Sequence, residues 1–237
     1  MAVIRSGAGS SDLTVDATSL AARVTIYDTA GNASGSNALP SPVVQKPLPY
    51  GALGHYRVTH RVALANSQAV TSRLFEFRNN AANVMVPTSL VIKWIQTGAH
   101  TAAIEDSIDV FRVTGFTVLS TTNITVLTAT RKRTTMAAAN GGAQVQGSNG
   151  NAAGMTGFTA PKDGGPIAQL PLWLTLLFTD PAQRTMAVLD AFDDVNGTHP
   201  FALAQNEGII IENRVALGAA AASTVYIDFQ WAEVTAF

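Results

Sequence analysis

Residues 223–234 read STVYIDFQWAEV, and this stretch decides the fold class. Its large apolar residues fall at every second position. They are Val225, Ile227, Phe229 and Trp231. Alternation with a period of two is typical of a β-strand, because successive side chains of a strand point to opposite faces of the sheet. We therefore predict a strand here, with its apolar face packed in a core.

Strand-like runs of this kind recur along the chain after residue 55, separated by turn signals. They cover residues 56–65, 73–78, 89–97, 107–120, 122–130, 171–179 and 208–212. Seven or more short strands spaced by turns are typical of a β-sandwich or a jelly roll. The sequence has no long amphipathic helix pattern, and its Ala-rich stretches are too short for independent helices. We predict an all-β fold, a jelly-roll-like β-sandwich, for residues 51–237.

Residues 1–50 differ in composition from the body that follows. They contain a single clear strand pattern and then a proline-rich segment, residues 29–49. Prolines at this density block helices and sheet ladders, so we predict a linker. A lone strand cannot bury its face by itself, so we expect an extended N-terminal arm that docks on a partner. The alternative is an arm that folds back on its own domain. The expected docking residues are Arg23, Val24, Thr25, Ile26 and Tyr27.

A second region of low complexity spans residues 140–166 and is rich in glycine and asparagine. Few of its side chains are large enough to pack, so we predict one long loop inside the body. Loops of this length usually have a function or move. One use for such a loop is to lie across a neighbouring subunit.

The charge content favours a protein whose surface is covered by partners. Charged residues make up 13% of the chain, against about 25% in typical domains. A surface so poor in charge suits self-assembly or a larger assembly better than a free monomer. An ordinary Ala-rich soluble protein is the alternative. The net charge of -1 argues against binding to nucleic acid or anionic membranes. The first residues lack the apolar stretch of a signal peptide, so we expect synthesis in the cytoplasm.

No pattern in the sequence predicts catalysis, a metal or a cofactor. The chain has no cysteine, which excludes disulfides and zinc–cysteine sites. His55 and His60 are five residues apart on a predicted strand, which places them on opposite faces and makes a poor metal site. A glycosidase would need two facing carboxylates, and Glu105, Asp106 and Asp109 could supply them. We instead predict a solvated loop for these acids, and we expect no enzyme activity.

Basic and aromatic residues offer interaction surfaces instead. Arg131, Lys132 and Arg133 form the only basic run, which could pair with acids across a subunit interface. The simpler interpretation is a charged strand edge that deters stray pairing. The three tryptophans fall inside predicted strands, so we predict packing in a core or an interface. The alternative is an exposed platform on which a sugar stacks. The tryptophans are Trp94, Trp173 and Trp231.

Segments at the start, middle and end of the chain resemble structural proteins of tailed bacteriophages. These are residues 15–31, the run RKRTTM at 131–136, and residues 200–213 together with 231–233. None of these segments is a catalytic motif, and residues 140–157 depart from the family pattern. The resemblance implies a non-enzymatic virion protein, made in the host cytoplasm, without saying where on the particle it sits.

Two locations on the virion are compatible with this resemblance. The first is the capsid, where a decoration or cement protein would form a homotrimer and add its arm as a strand to the major capsid protein or a neighbour. The second is the tail, neck or fibre, where one role is to contact a receptor or glycan. An enzyme such as a wall-degrading hydrolase is the least favoured hypothesis. We expect no cofactor, no nucleic acid and no membrane among its partners.

Overall fold

The structure, a computed structural model, divides the chain into two compact units, Met1–Pro49 and Tyr50–Phe237. It describes residues 4–6, 11–15, 22–24, 54–64, 67–96, 104–132, 138–139, 141–158, 161–174, 186–192, 201–217 and 223–234. Every element among these residues is a β-strand. The predicted all-β fold class is therefore confirmed.

The N-terminal unit contains a small antiparallel sheet in the order β1-β2-β3. Its strands are β1 Ile4–Ser6, β2 Ser11–Val15 and β3 Ala22–Val24. The sequence predicts a lone strand in an extended arm, but Arg23 and Val24 lie in β3, where they pair with Thr14 and Leu13. The prediction of a lone strand is thus wrong, because β2 supplies the partner. Thr25, Ile26 and Tyr27 lie outside the described residues.

Eleven strands of the second unit are described, and they form two sheets. The strands are β4 Gly54–Leu64, β5 Arg73–Asn79, β6 Val84–Gln96, β7 Ile104–Val113, β8 Ile124–Val126, β9 Thr130–Arg131, β10 Ala143–Ser148, β11 Ala168–Leu174, β12 Met186–Ala191, β13 Glu207–Asn213 and β14 Ser223–Val234. The six-stranded sheet has the order β11-β7-β13-β5-β10-β8, and the five-stranded sheet has the order β12-β6-β14-β4-β9.

The strand pairing gives the sandwich its jelly-roll character. Early strands pair with late ones in nested antiparallel fashion: β4 with β14, β5 with β13, β6 with β12 and β7 with β11. The first and third of these pairs lie in the five-stranded sheet, and the second and fourth lie in the six-stranded sheet. One long antiparallel ribbon rolled across two sheets produces this alternation, which is how a jelly roll is wound. The innermost pair, β8 with β10, departs from the alternation because it joins the six-stranded sheet.

The core lies between the two sheets and is centred on aromatic side chains. Phe77 and Phe229 approach within 4.8 Å between ring centroids, and Phe77 and Trp231 within 5.0 Å. Trp94 and Trp231 are completely buried, so the prediction of core packing is confirmed for both and neither can serve as a sugar platform. The side chain of Trp173 lies outside the described part of the structure.

A second, smaller apolar cluster covers the outer face of the six-stranded sheet. It contains the buried residues Val113, Phe116 and Ile210, with Phe158 packed edge-on against Phe116 at 5.0 Å between ring centroids. Phe158 belongs to the Gly/Asn-rich region, and the amide of Thr121 donates a hydrogen bond to the carbonyl of Thr156 in the same region. This region therefore packs on its own domain.

The prediction of one long loop is wrong for residues 143–148, which form β10. The glycine content of this segment favours a loop in the sequence. In the structure, Gly147 is needed within the strand because a larger residue would not fit. A Cβ atom on Gly147 would lie 2.4 Å from the imidazole of His60, which reaches across from the opposite sheet. Gly147 thus makes room for a side chain that only the folded sandwich brings near.

Candidate functional site

The outer face of the five-stranded sheet carries a row of chemically distinctive side chains. Tyr226 in β14 is the cross-strand partner of Lys93 in β6 on one side and of Arg61 in β4 on the other. Val188 in β12 lies opposite Lys93 and extends the row. All four side chains are exposed. The pairing register therefore brings together four residues that are far apart in the sequence.

A second row runs beside the first and contains an ion pair. Asp228 lies opposite Val91 in β6 and Thr59 in β4. Its carboxylate accepts two hydrogen bonds from the Arg57 guanidinium, one of them from Nε at 2.8 Å. These hydrogen bonds raise the pKa of Arg57. Because the pair is largely exposed to solvent, it adds little to stability and mainly fixes the direction of both side chains.

A shallow groove of about 540 Å³ lies between these rows. Its lining includes Thr59, Arg61, Val91, Lys93, Tyr226 and Asp228. The Arg61 guanidinium carbon is 5.6 Å from the centroid of the Tyr226 ring, within cation–π range. We call this surface, together with Arg57, Lys132, Met186, Val188 and Asp190, the basic face.

Positive charge outweighs negative charge on the basic face. Its cations are Arg57, Arg61, Lys93 and Lys132, and its carboxylates are Asp190 and Asp228. Burial lowers the pKa of Lys132, and the neighbouring charge of Arg57 lowers it further. Arg61 and Lys93 form no ion pair with a described residue, whereas Arg57 is bound to Asp228. The groove is therefore flanked by two cations that form no ion pair with a described carboxylate.

Apolar side chains stand in water on the same face. The exposed fractions of Met186, Val188 and Tyr226 are 61%, 48% and 37%. Met186 and Val188 alternate along β12 with Ala187 and Leu189, which pack against the core. A sheet face that combines exposed apolar side chains with tyrosine and arginine has the composition of a protein-binding surface.

The predicted basic cluster is divided by the structure. Arg131 lies in β9 opposite Tyr56. Lys132 is the next residue, so its side chain points to the other side of the sheet, which is the outer face that also carries Arg57. The amide of Lys132 donates a hydrogen bond to the carbonyl of His55 at 3.0 Å. Arg133 lies outside the described residues. β9 is the last described strand of its sheet, as expected for a charged edge; pairing across subunits remains a prediction.

Four carboxylates are buried in or beside the six-stranded sheet: Glu76, Asp106, Asp109 and Glu212. The prediction of a solvated loop is wrong: Glu105, Asp106 and Asp109 all lie in β7, where only Glu105 is exposed to solvent. Protein groups bind these acids. The backbone amide and the hydroxyl of Ser120 donate to Glu76 at 2.7 and 3.0 Å, and Lys162 pairs with Glu212 at 2.5 Å. Burial raises the pKa of Glu76. These contacts tie loops to the sheet and indicate a structural role.

The two described histidines occupy opposite faces of β4, as the sequence predicts. His55 contacts the Thr88 hydroxyl at 2.8 Å through Nε2, and burial lowers its pKa to about 4. His60 lies in the core, where Nε2 is 3.0 Å from the carbonyl oxygen of Ser148, and burial lowers its pKa too. Among the described residues, no group of three or more His, Asp or Glu side chains is placed to hold a metal ion.

No family model matches the chain, and no curated protein or solved structure is significantly similar to it. Within the described residues, no helix has the length and apolar character required to cross a membrane. The features of this chain that bear on its function are the two units and the basic face. The sequence shows the members of that face only as outward positions on separate strands, and it does not show that those strands are neighbours.

Proposed function

We propose that the protein is a non-enzymatic structural protein of a tailed-phage particle, specifically a capsid decoration or cement protein. In this role its N-terminal unit docks on the major capsid protein or on a neighbouring copy. The observation that carries the proposal is the division of the chain into a small β unit, Met1–Pro49, and a separate jelly-roll body. A small unit that forms its own sheet is suited to reach a partner while the body keeps its own core.

The docking mechanism we propose is strand addition. β3 is the last described strand of the N-terminal sheet, and it contains Arg23 and Val24 of the expected docking segment. An edge strand binds an extended partner segment through main-chain hydrogen bonds, so it needs few specific side chains. Many copies on one particle would then hold through multivalency even if each contact is weak. The resemblance of residues 15–31 to phage structural proteins supports the same segment.

The body would form the self-associating part of the assembly, and we propose a homotrimer. Two features support this proposal. The low share of charged residues, 13%, suits a surface that copies cover. Apolar side chains outside the five-stranded sheet, such as Val118 and Val126, are exposed on the body and would lose contact with water in an assembly.

Deletion of residues 1–30 is expected to abolish association with particles while leaving the body folded. The body should remain folded because its core involves residues after Tyr50. The measurement is co-sedimentation of the purified protein with assembled capsids, with circular dichroism and light scattering as checks on fold and mass. The control is the double substitution Arg23→Ala and Tyr27→Ala, which should weaken association less because backbone pairing carries the contact. Normal association of the truncated protein would refute docking through the N-terminal unit.

A tail, neck or fibre protein that binds a receptor glycan is the second candidate. The exposed ring of Tyr226 at the groove favours it, because sugars stack on exposed aromatic rings in concave sites. A soluble oligomer that fails to pellet with capsids but binds in a glycan screen would favour this alternative. A trimer that pellets with capsids would favour the decoration role.

A further inference from the structure

We propose that the basic face binds an acidic polypeptide surface of a partner protein. This inference rests on the proposed structural role and adds a second contact to it, made by the body. In this contact, Arg61 and Lys93 bind carboxylates of the partner, while Met186, Val188 and Tyr226 pack against its apolar side chains. Three features support this contact: the spacing of the charges, the apolar part of the face, and a charge balance that disfavours a symmetric self-contact.

The spacing of Arg61 and Lys93 suits a ligand with more than one negative charge. β4 and β6 flank β14, so the backbones of these two residues lie about 10 Å apart across the sheet. Neither forms an ion pair with a described carboxylate, and Tyr226 lies between them. Two carboxylates on alternate residues of an extended segment are about 7 Å apart, which the flexible side chains of arginine and lysine can span.

The apolar part of the face favours a polypeptide over an anionic sugar. A charged glycan could engage the two cations and stack on Tyr226, but it would leave Met186 and Val188 in water. Met186 and Val188 are 61% and 48% exposed, and they lie on β12, the strand that neighbours β6. A protein surface with an apolar centre and a carboxylate rim covers both parts at once.

A symmetric contact between two copies of this face is disfavoured by charge. A two-fold axis would bring the same patch of each copy together. Arg61, Lys93 and Lys132 of one copy would then lie against a surface that also has more cations than carboxylates, and like charges placed together oppose binding. The partner must therefore supply carboxylates from a different surface.

The test uses the full chain and three labelled probes in fluorescence anisotropy at low ionic strength. The probes are decaglutamate, a ten-residue peptide in which pairs of glutamates alternate with pairs of leucines, so that each face of the extended peptide carries both residue types, and a heparin decasaccharide. We expect the alternating peptide to bind about tenfold more tightly than decaglutamate, because it also covers the apolar part. Arg61→Gln and Lys93→Gln should each weaken both peptides about three- to tenfold. Val188→Ser should weaken only the alternating peptide.

Arg214→Gln is the matched control, since it removes one charge from an exposed side chain that follows β13 in the other sheet. It should leave all affinities unchanged. Equal weakening by Arg214→Gln, or no weakening by Arg61→Gln and Lys93→Gln, would overturn the proposal. Tighter binding of heparin than of the alternating peptide, lost in the Arg61 and Lys93 variants, would assign the face to an anionic glycan instead.

Capsid co-sedimentation separates this inference from the proposed function. If the wild-type chain binds the alternating peptide as expected but ignores capsids, the virion role fails and the acidic-partner inference stands. If the chain pellets with capsids while the peptides do not bind, the inference about the basic face fails alone. If both hold, the double variant Arg61→Gln and Lys93→Gln should reduce capsid binding without abolishing it, because the N-terminal unit remains.

Discussion

Replacement of Phe229 by alanine is expected to lower the free energy of unfolding by about 3–5 kcal/mol. Phe229 is fully buried at the centre of the aromatic cluster. Its ring centroid lies 4.8 Å from that of Phe77, 5.6 Å from that of Trp231 and 5.9 Å from that of Phe75. Truncation removes a large apolar side chain and leaves a cavity that three rigid rings cannot fill by small movements. The variant therefore loses the free energy of burying the ring and also bears the cost of the cavity.

The measurement is urea denaturation followed by circular dichroism, compared between the wild type and Phe229→Ala. Tyr226→Ala is the matched control, because Tyr226 lies in the same strand but on the basic face, where it is partly exposed. That substitution should cost about 1 kcal/mol or less. A similar loss for both variants would contradict the burial of one face of β14, on which the sandwich depends.

The Asp106→Asn variant is expected to gain stability relative to the wild type as pH rises from 4 to 8, by up to about 3 kcal/mol. Asp106 is buried in β7 and only 4% exposed. Its Oδ1 atom accepts hydrogen bonds from the amides of Ser107 at 2.7 Å and Val215 at 2.9 Å, while Oδ2 has no hydrogen-bond partner in the described part of the chain. Burial raises the pKa of Asp106 to about 6 from 3.8, the amides oppose the shift, and the nearby charge of Asp109 adds to it.

The direction of the effect follows from proton binding. Because the pKa of Asp106 is higher in the folded state, the folded protein holds this proton more tightly than the unfolded chain does. The stabilisation that this proton provides is complete below pH 3.8, the pKa of Asp106 in the unfolded chain. It is lost as the pH rises through about 6, the pKa in the folded protein. Asparagine can keep the Oδ1 acceptor but carries no charge at any of these pH values. The variant should therefore keep its stability over the pH range in which the wild type loses this contribution.

Urea denaturation at intervals between pH 4 and 8 would measure the difference between the two proteins. The buried acid Glu76 also has a raised pKa, but it is present in both proteins and its effect cancels in the comparison. Asp163→Asn, at an exposed position, controls for the loss of one negative charge. A constant difference between wild type and Asp106→Asn across this range would show that Asp106 keeps an ordinary pKa in the folded protein.

The sequence alone was sufficient to predict the fold class and the direction of individual side chains. The alternation in residues 223–234 predicts that Phe229 and Trp231 share a buried face, and the structure places both in the core. The separation of His55 and His60 likewise predicts opposite faces of one strand, which is confirmed. These predictions hold because the period of a strand is a local property of the backbone, independent of which strands become neighbours.

Tertiary structure decided the features that depend on distant partners. In the sequence, Gly147 belongs to a glycine-rich stretch that predicts a loop. In the structure it lies in β10, and the His60 ring from the opposite sheet packs against it. Asp106 looked solvated, yet it is buried because the amides of Ser107 and Val215 bind its carboxylate, and Val215 is 109 residues away in the chain. The local sequence does not show that Val215 lies next to Asp106. The pattern of acids in β7 therefore predicts exposure to solvent where the structure has burial.

The candidate site shows the same division. Sequence alternation predicts that Tyr226 faces away from the apolar side of its strand, and the composition of the chain predicts a surface that partners cover. The sequence does not reveal that Lys93 and Arg61 flank Tyr226, because that depends on the nested pairing of β4, β6 and β14. The order of the strands is set by the packing of the whole core, where the apolar faces of distant segments must meet. The basic face lies on the opposite side of the same strands, so the packing of the core also decides which of its residues become neighbours.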